Sequence, residues 1–248
     1  MNEFYLLLLP LIFTHLVVDF YLQPFSWVLD RNRYHFQSKK LRIHACLHGL
    51  FSFITILCWE YTLGWENWSN AVMCAALITS SHYFIDVAKS FSKGTIAAFL
   101  LDQTAHLAII IVCAWISCES DWFSMPNKPQ SPFSKAWVIL IAYLLITSPA
   151  SVFISISLSK WPWINTLDDG LPNAGQYIGF LERFLILTFI LVDSYAAVGF
   201  ILAAKSVFRF GDLTQAKDKR LTEYVMLGTL LSTALTLAIG VIAKSLIA

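Results

Sequence analysis

With 57% hydrophobic and only 13% charged side chains over 248 residues, the chain has too little polar surface to cover a water-soluble domain, which carries about a quarter charged residues. A net charge of +1 also excludes the broad basic face of a nucleic-acid binder, and none is expected as a partner. The fold class is all-α: a polytopic transmembrane bundle of six or seven helices.

A spanning helix takes about 20 mainly apolar residues. The first candidate, Phe4–Tyr21, carries His15 and Asp19 and lacks both a basic leader and a small-residue cleavage site, so it reads as a retained span and not a signal peptide. Ile43–Tyr61, Ala71–Val87 and Ile96–Ile116 follow, then Ala136–Ser157, Phe184–Ala203 and Tyr224–Ile247. The organisation is a four-helix core over residues 1–120 with a helical extension over 121–248. The five cysteines form no C-x-x-C pair and read as buried, inert thiols.

Loop charges set an expected orientation. Arg31, Arg33, Lys39, Lys40 and Arg42 place the first loop in the cytoplasm, and Lys89 and Lys93 place the third there too. Glu60, Glu66, Glu119 and Asp121 mark the other side. The second half conflicts with this pattern. Seven crossings put Lys205, Arg209, Lys217, Lys219 and Arg220 outside, whereas a break at Pro149 in the fifth segment would return them to the cytoplasm.

Five of the six histidines lie in the first four segments, in pairs spaced by four residues: His15/Asp19, His44/His48, His82/Asp86 and Asp102/His106. Such a pair is offset by about 40° and one helical turn, so both side chains share a face. The pairs end the odd helices and begin the even ones, which puts all eight side chains at one membrane face. Ionisable groups in a span are costly and mark function. Imidazole with carboxylate suits Zn, with Mn or Fe as alternatives, and facing helices build metal centres in this way. The competing reading is polar contact between helices, which accounts for one pair better than for four at one depth.

Outside these pairs the signals are weaker. Gln23 and Gln103 either support the ligands or make interfacial contacts, Lys89 pairs with Asp86, binds an anionic headgroup or snorkels, and His35 reads as solvated. Glu182–Arg183 reads as a charge pair at a membrane edge. Asp193 falls within the sixth segment and needs an interior partner. Gly170, Pro172, Gly175 and Gly179 read as a linker and not a phosphate loop.

His15-x-x-x-Asp19-x-x-x-Gln23, His82-x-x-x-Asp86-x-x-Lys89 and Asp102-Gln103-x-x-His106 resemble a bacterial multi-pass inner-membrane family, a domain of unknown function. Longer members are similar around Gly175–Arg183, Ala204-Lys205-Ser206, Arg209-Phe210, Glu223-Tyr224 and Gly228-Thr229-Leu230. The resemblance implies a bacterial inner-membrane location and no activity. The His-x-x-x-Asp helices are more loosely similar to membrane-bound metal-dependent hydrolases.

The expected function is hydrolysis of a lipid-linked or small amphiphilic substrate by metal-activated water, with membrane lipid as surroundings. Asp19 and Asp86 are the catalytic candidates, the one that is not a ligand serving as general base. Transport of a metal ion or protons is the alternative, as is a membrane anchor or partner subunit with a structural metal.

Overall fold

The computed structural model describes residues 3–64, 68–118, 131–161, 174–210 and 218–248, and every regular element among them is helical. In chain order these are α1 (Glu3–Phe20), α2 (Phe25–Tyr34), a 3-10 turn (His35–Gln37), α3 (Lys39–Leu63), α4 (Trp68–Ser90) and α5 (Ile96–Ser117). Then come α6 (Pro132–Leu145), α7 (Ser148–Leu158), α8 (Ala174–Leu191), α9 (Tyr195–Phe210) and α10 (Asp218–Ile247). Seven helical stretches are long and apolar enough to cross a membrane, with Pro132–Leu158 counted as one. The chain divides into two compact units, Met1–Ile141 and Ala142–Leu246, the last two residues aside. Glu66, Glu119, Asp121, Gly170, Pro172 and Lys217, which entered the orientation and linker readings, lie outside the described residues.

The first unit is built on α1, α3, α4 and α5. Each buries one stripe at a spacing of three to four residues: Leu7, Leu11 and His15 on α1; His44, His48, Ser52 and Ile56 on α3. On α4 the stripe is Cys74, Ile78, His82 and Asp86, and on α5 Asp102, His106, Ile110 and Cys113. Polar and apolar residues thus share each stripe, the polar ones gathered at one end. Helices α3 and α4 approach closely because Gly49 has no side chain; a Cβ there would lie 1.8 Å from Thr79 Oγ1. The Ser38 hydroxyl accepts from Leu41 N–H and starts α3. Gly64 at φ 72° ends it, in the left-handed region where glycine carries no Cβ penalty.

Part of the first connector is ordered as α2, which the sequence reading did not anticipate. Ser38 Oγ donates to Asp30 Oδ2 at 2.5 Å and Tyr83 Oη donates to Phe36 O at 2.8 Å, tying α2 and the turn to α3 and α4. His35 is not simply solvated. Its Nδ1 lies 2.8 Å from Ser90 Oγ, its ring stacks on Phe91 at 4.1 Å, and its backbone sits at φ 49°. The thiols also divide: Cys74, Cys113 and Cys118 are buried as expected, whereas Cys46 and Cys58 are exposed on the helix surface.

The stretch Pro132–Leu158, which begins in the first unit, breaks between α6 and α7 just inside the second. Pro149 lacks an N–H and its ring clashes with a carbonyl four residues back, so the helix restarts with proline in its first turn. The buried Arg183 repairs the break: Nε donates to Ile146 O, Nη2 to Ser151 Oγ at 2.8 Å and Nη1 to Ser232 Oγ at 3.2 Å. The expected Glu182–Arg183 pair is absent, since adjacent residues on a helix point about 100° apart. Glu182 Oε2 instead accepts from Lys205 Nζ at 2.5 Å, bringing α9 back along α8.

The sixth segment is displaced from its expected position, and this reverses the reading of Asp193. Helix α8 ends at Leu191, and Asp193 at φ 62° occupies the left-handed position of a C-terminal cap. Ser194 N–H donates to Phe189 O at 2.7 Å and Asp193 N–H to Ile190 O at 3.2 Å, the paired bonds of a Schellman motif. Asp193 is therefore an exposed helix-end residue paired with Lys244, not a carboxylate inside a span.

Candidate metal centre

All eight sequence-predicted ligands lie at the same end of the first unit, and they meet across helices more than along them. Asp19 Oδ1, on α1, lies 3.2 Å from His44 Nε2, 3.8 Å from His48 Nε2 and 3.8 Å from His82 Nε2. Asp86 Oδ2 lies 3.8 Å from His82 Nε2 and 4.0 Å from His44 Nε2. Four donors at about 2.1 Å from one ion stand about 3.4 Å apart in a tetrahedron, within the spread of these separations. Two sets hold ligand atoms close enough for one ion: Asp19, His44, His48 and His82, and His82, Asp86 and His106.

His15 and Asp102 border these sets. The His15 ring stands 5.1 Å from His48 and 5.2 Å from His106. Asp102 Oδ1 lies 3.5 Å from His106 Nε2. His48 and His82 stack at 3.6 Å between ring centroids, and His82 and His106 at 4.0 Å. A cavity of about 10 Å³, lined by His15, His48, His82 and His106, opens beside the rings. That is room for about one water.

Each carboxylate has one oxygen held and the other turned inward. Arg31 Nη1 donates to Asp86 Oδ1 at 2.9 Å, with both side chains buried. Gln103 Nε2 donates to Asp19 Oδ2 at 2.9 Å and to Asp102 Oδ2 at 3.0 Å, and Lys89 Nζ also donates to Asp102 Oδ2. Lys89 thus pairs with the next helix and not with Asp86. The opposite atoms are buried without a hydrogen-bond partner: Asp86 Oδ2, Asp102 Oδ1 and the Nε2 atoms of His15, His48, His82 and His106. Polar side chains that serve only to join helices have their bonds made. Six inward atoms lacking partners, behind carboxylates oriented from outside, are the arrangement a cation completes.

Sequence reasoning missed Arg31, which had been counted only as loop charge. It reaches Asp86 from 55 positions away and carries no local signal. The one available hint is electrostatic, because three carboxylates in spans require more cations than Lys89 supplies.

Beyond the site, Leu7, Leu11, Ile56, Ile78 and Ile110 form a buried apolar layer between the imidazoles and the opposite end of the unit. The fold and site define a class: a multi-pass helical membrane protein with a buried histidine and carboxylate cluster able to hold a metal ion. The chain belongs to the family described as Protein of unknown function (DUF3307), whose model matches residues 7–131 and so takes in every residue of that cluster. No curated protein and no solved structure matches the chain.

Proposed function

We propose that the protein is a metal-dependent membrane hydrolase of the bacterial inner membrane, acting on a lipid-linked or small amphiphilic substrate. The observation that carries this reading is the set of buried imidazole and carboxylate atoms without partners, with His15, His48, His82 and His106 bordering a water-sized space. Asp19, His44, His48 and His82 would hold a divalent ion, Zn being the best match to the donor set. Bound there, the metal supplies a water acidic enough to attack near neutral pH and polarises the scissile bond.

In this reading Asp86 is the general base. Its Oδ2 stands beside His82 and His44, while Arg31 holds Oδ1. Asp86 Oδ2 would take the proton of the attacking water as its oxygen bonds to the electrophilic centre, and would return that proton to the departing oxygen as its bond to that centre breaks. Asp19 serves as ligand. The apolar layer behind the site favours this fixed centre over the transport alternative, which needs polar groups continuing to the other face.

The test uses full-length protein in nanodiscs loaded with Zn²⁺, assayed on p-nitrophenyl esters and bis(p-nitrophenyl) phosphate. Turnover that a chelator abolishes and Zn²⁺ restores, and that Asp86→Asn lowers by at least about 100-fold, is the expected result. A fully loaded protein with no turnover on any of these would leave a structural metal as the better reading.

A further inference from the structure

Charge balance and the pairing of Lys89 point to the substrate's chemistry. The inference rests on the metal reading above. Asp19, Asp86 and Asp102 carry three negative charges, and Arg31 and Lys89 carry two positive ones. With neutral imidazoles, the empty cluster keeps one negative charge, and a divalent ion turns that into one positive charge. A buried, uncompensated charge is costly, so the loaded centre attracts an anion.

The two cations differ in their freedom to meet it. Arg31 is buried and is the only donor to Asp86 Oδ1 among the described residues. Moving it would strand a buried carboxylate. Lys89 is different: Asp102 Oδ2 accepts from Gln103 Nε2 as well, and the Lys89 side chain retains 23% of its exposure. It can leave Asp102 for another anion without orphaning that oxygen. Lys89 lies in the last turn of α4, next to the connector that carries Lys93.

We propose that the metal-loaded centre binds a phosphate oxyanion. Lys89 moves from Asp102 to that phosphate, and Arg31 stays in place to hold Asp86. The phosphate is free in solution or part of an anionic lipid headgroup, and the experiment separates these sources.

Full-length protein in phosphatidylcholine nanodiscs is loaded with Co²⁺, whose visible bands report both occupancy and ligand exchange. The expected result is that inorganic phosphate, or replacement of the lipid by phosphatidylglycerol, shifts those bands. A shift with phosphate alone identifies free phosphate as the source, and one with phosphatidylglycerol identifies the headgroup. Lys89→Met should keep its Co²⁺ bands and bind phosphate about tenfold more weakly, while Lys89→Arg recovers most of the affinity. Arg31→Met should lose the bands themselves. Co²⁺ bands that neither phosphate nor phosphatidylglycerol moves would overturn the proposal while sparing the metal site. A Lys89→Met protein with undiminished phosphate affinity would also overturn it. Absence of Co²⁺ bands in the wild type would remove the metal reading, and this inference with it.

Discussion

Arg31 and Asp86 form the pair on which the centre's geometry depends most. Removing one partner of a buried ion pair leaves the other charge unsatisfied, at a cost of about 3–5 kcal/mol. Arg31→Met is therefore expected to lower thermal stability in detergent and to abolish metal uptake. Gln103→Leu should weaken metal binding about tenfold, because Asp19 would lose the donor on its outer oxygen. Parallel melting curves and metal titrations check both outcomes. The sequence was informative here to the extent that chemistry follows chain spacing. The i,i+4 pairs were visible because helix geometry fixes which residues share a face. Arg31 and the Lys89–Asp102 pair were hidden, because residues far apart in the chain meet only once α2 and the α4–α5 connection are folded.

Among the elements, α3 and α4 place four of the eight site residues, His44, His48, His82 and Asp86, and Gly49 sets their separation. Gly49→Leu should force the two helices apart and lose metal affinity. Gly94→Ala, with open space around its Cβ position, should change neither metal binding nor stability. Helix boundaries were the least legible feature. Hydropathy ran the sixth segment through Asp193 because the apolar residues continue on both sides, and only the cap hydrogen bonds mark the end of α8. Asp193→Asn retains a residue that tolerates the left-handed region and removes only an exposed ion pair, so the melting temperature should barely change. A larger loss in a melting curve would show that the residue is buried after all.

For the whole molecule, the Lys205–Glu182 pair bears on the conflict between hydropathy and loop charge. Because α9 folds back along α8, it ends towards the end where α8 begins. With Pro132–Leu158 crossing once, the expectation is that Lys217–Arg220 lies on the same membrane side as Arg31–Arg42 and opposite Glu119–Lys128. Single cysteines in these three stretches, labelled with an impermeant thiol reagent on intact and opened cells after replacement of Cys46 and Cys58, give the answer. Equal labelling of the first and third stretches from one side would exclude this arrangement.

Metal content tests the central claim most directly. The two ligand sets share His82, through one and the same Nε2, so one ion per chain is the expected stoichiometry. Elemental analysis of detergent-purified protein after incubation with Zn²⁺ and removal of excess should find about one Zn per chain. Asp19→Ala and His48→Ala should each lower that value, while Asp193→Asn should leave it at the wild-type level. Folded wild-type protein that retains no Zn, Mn or Fe would contradict the account and return the histidines and aspartates to the role of contacts between helices.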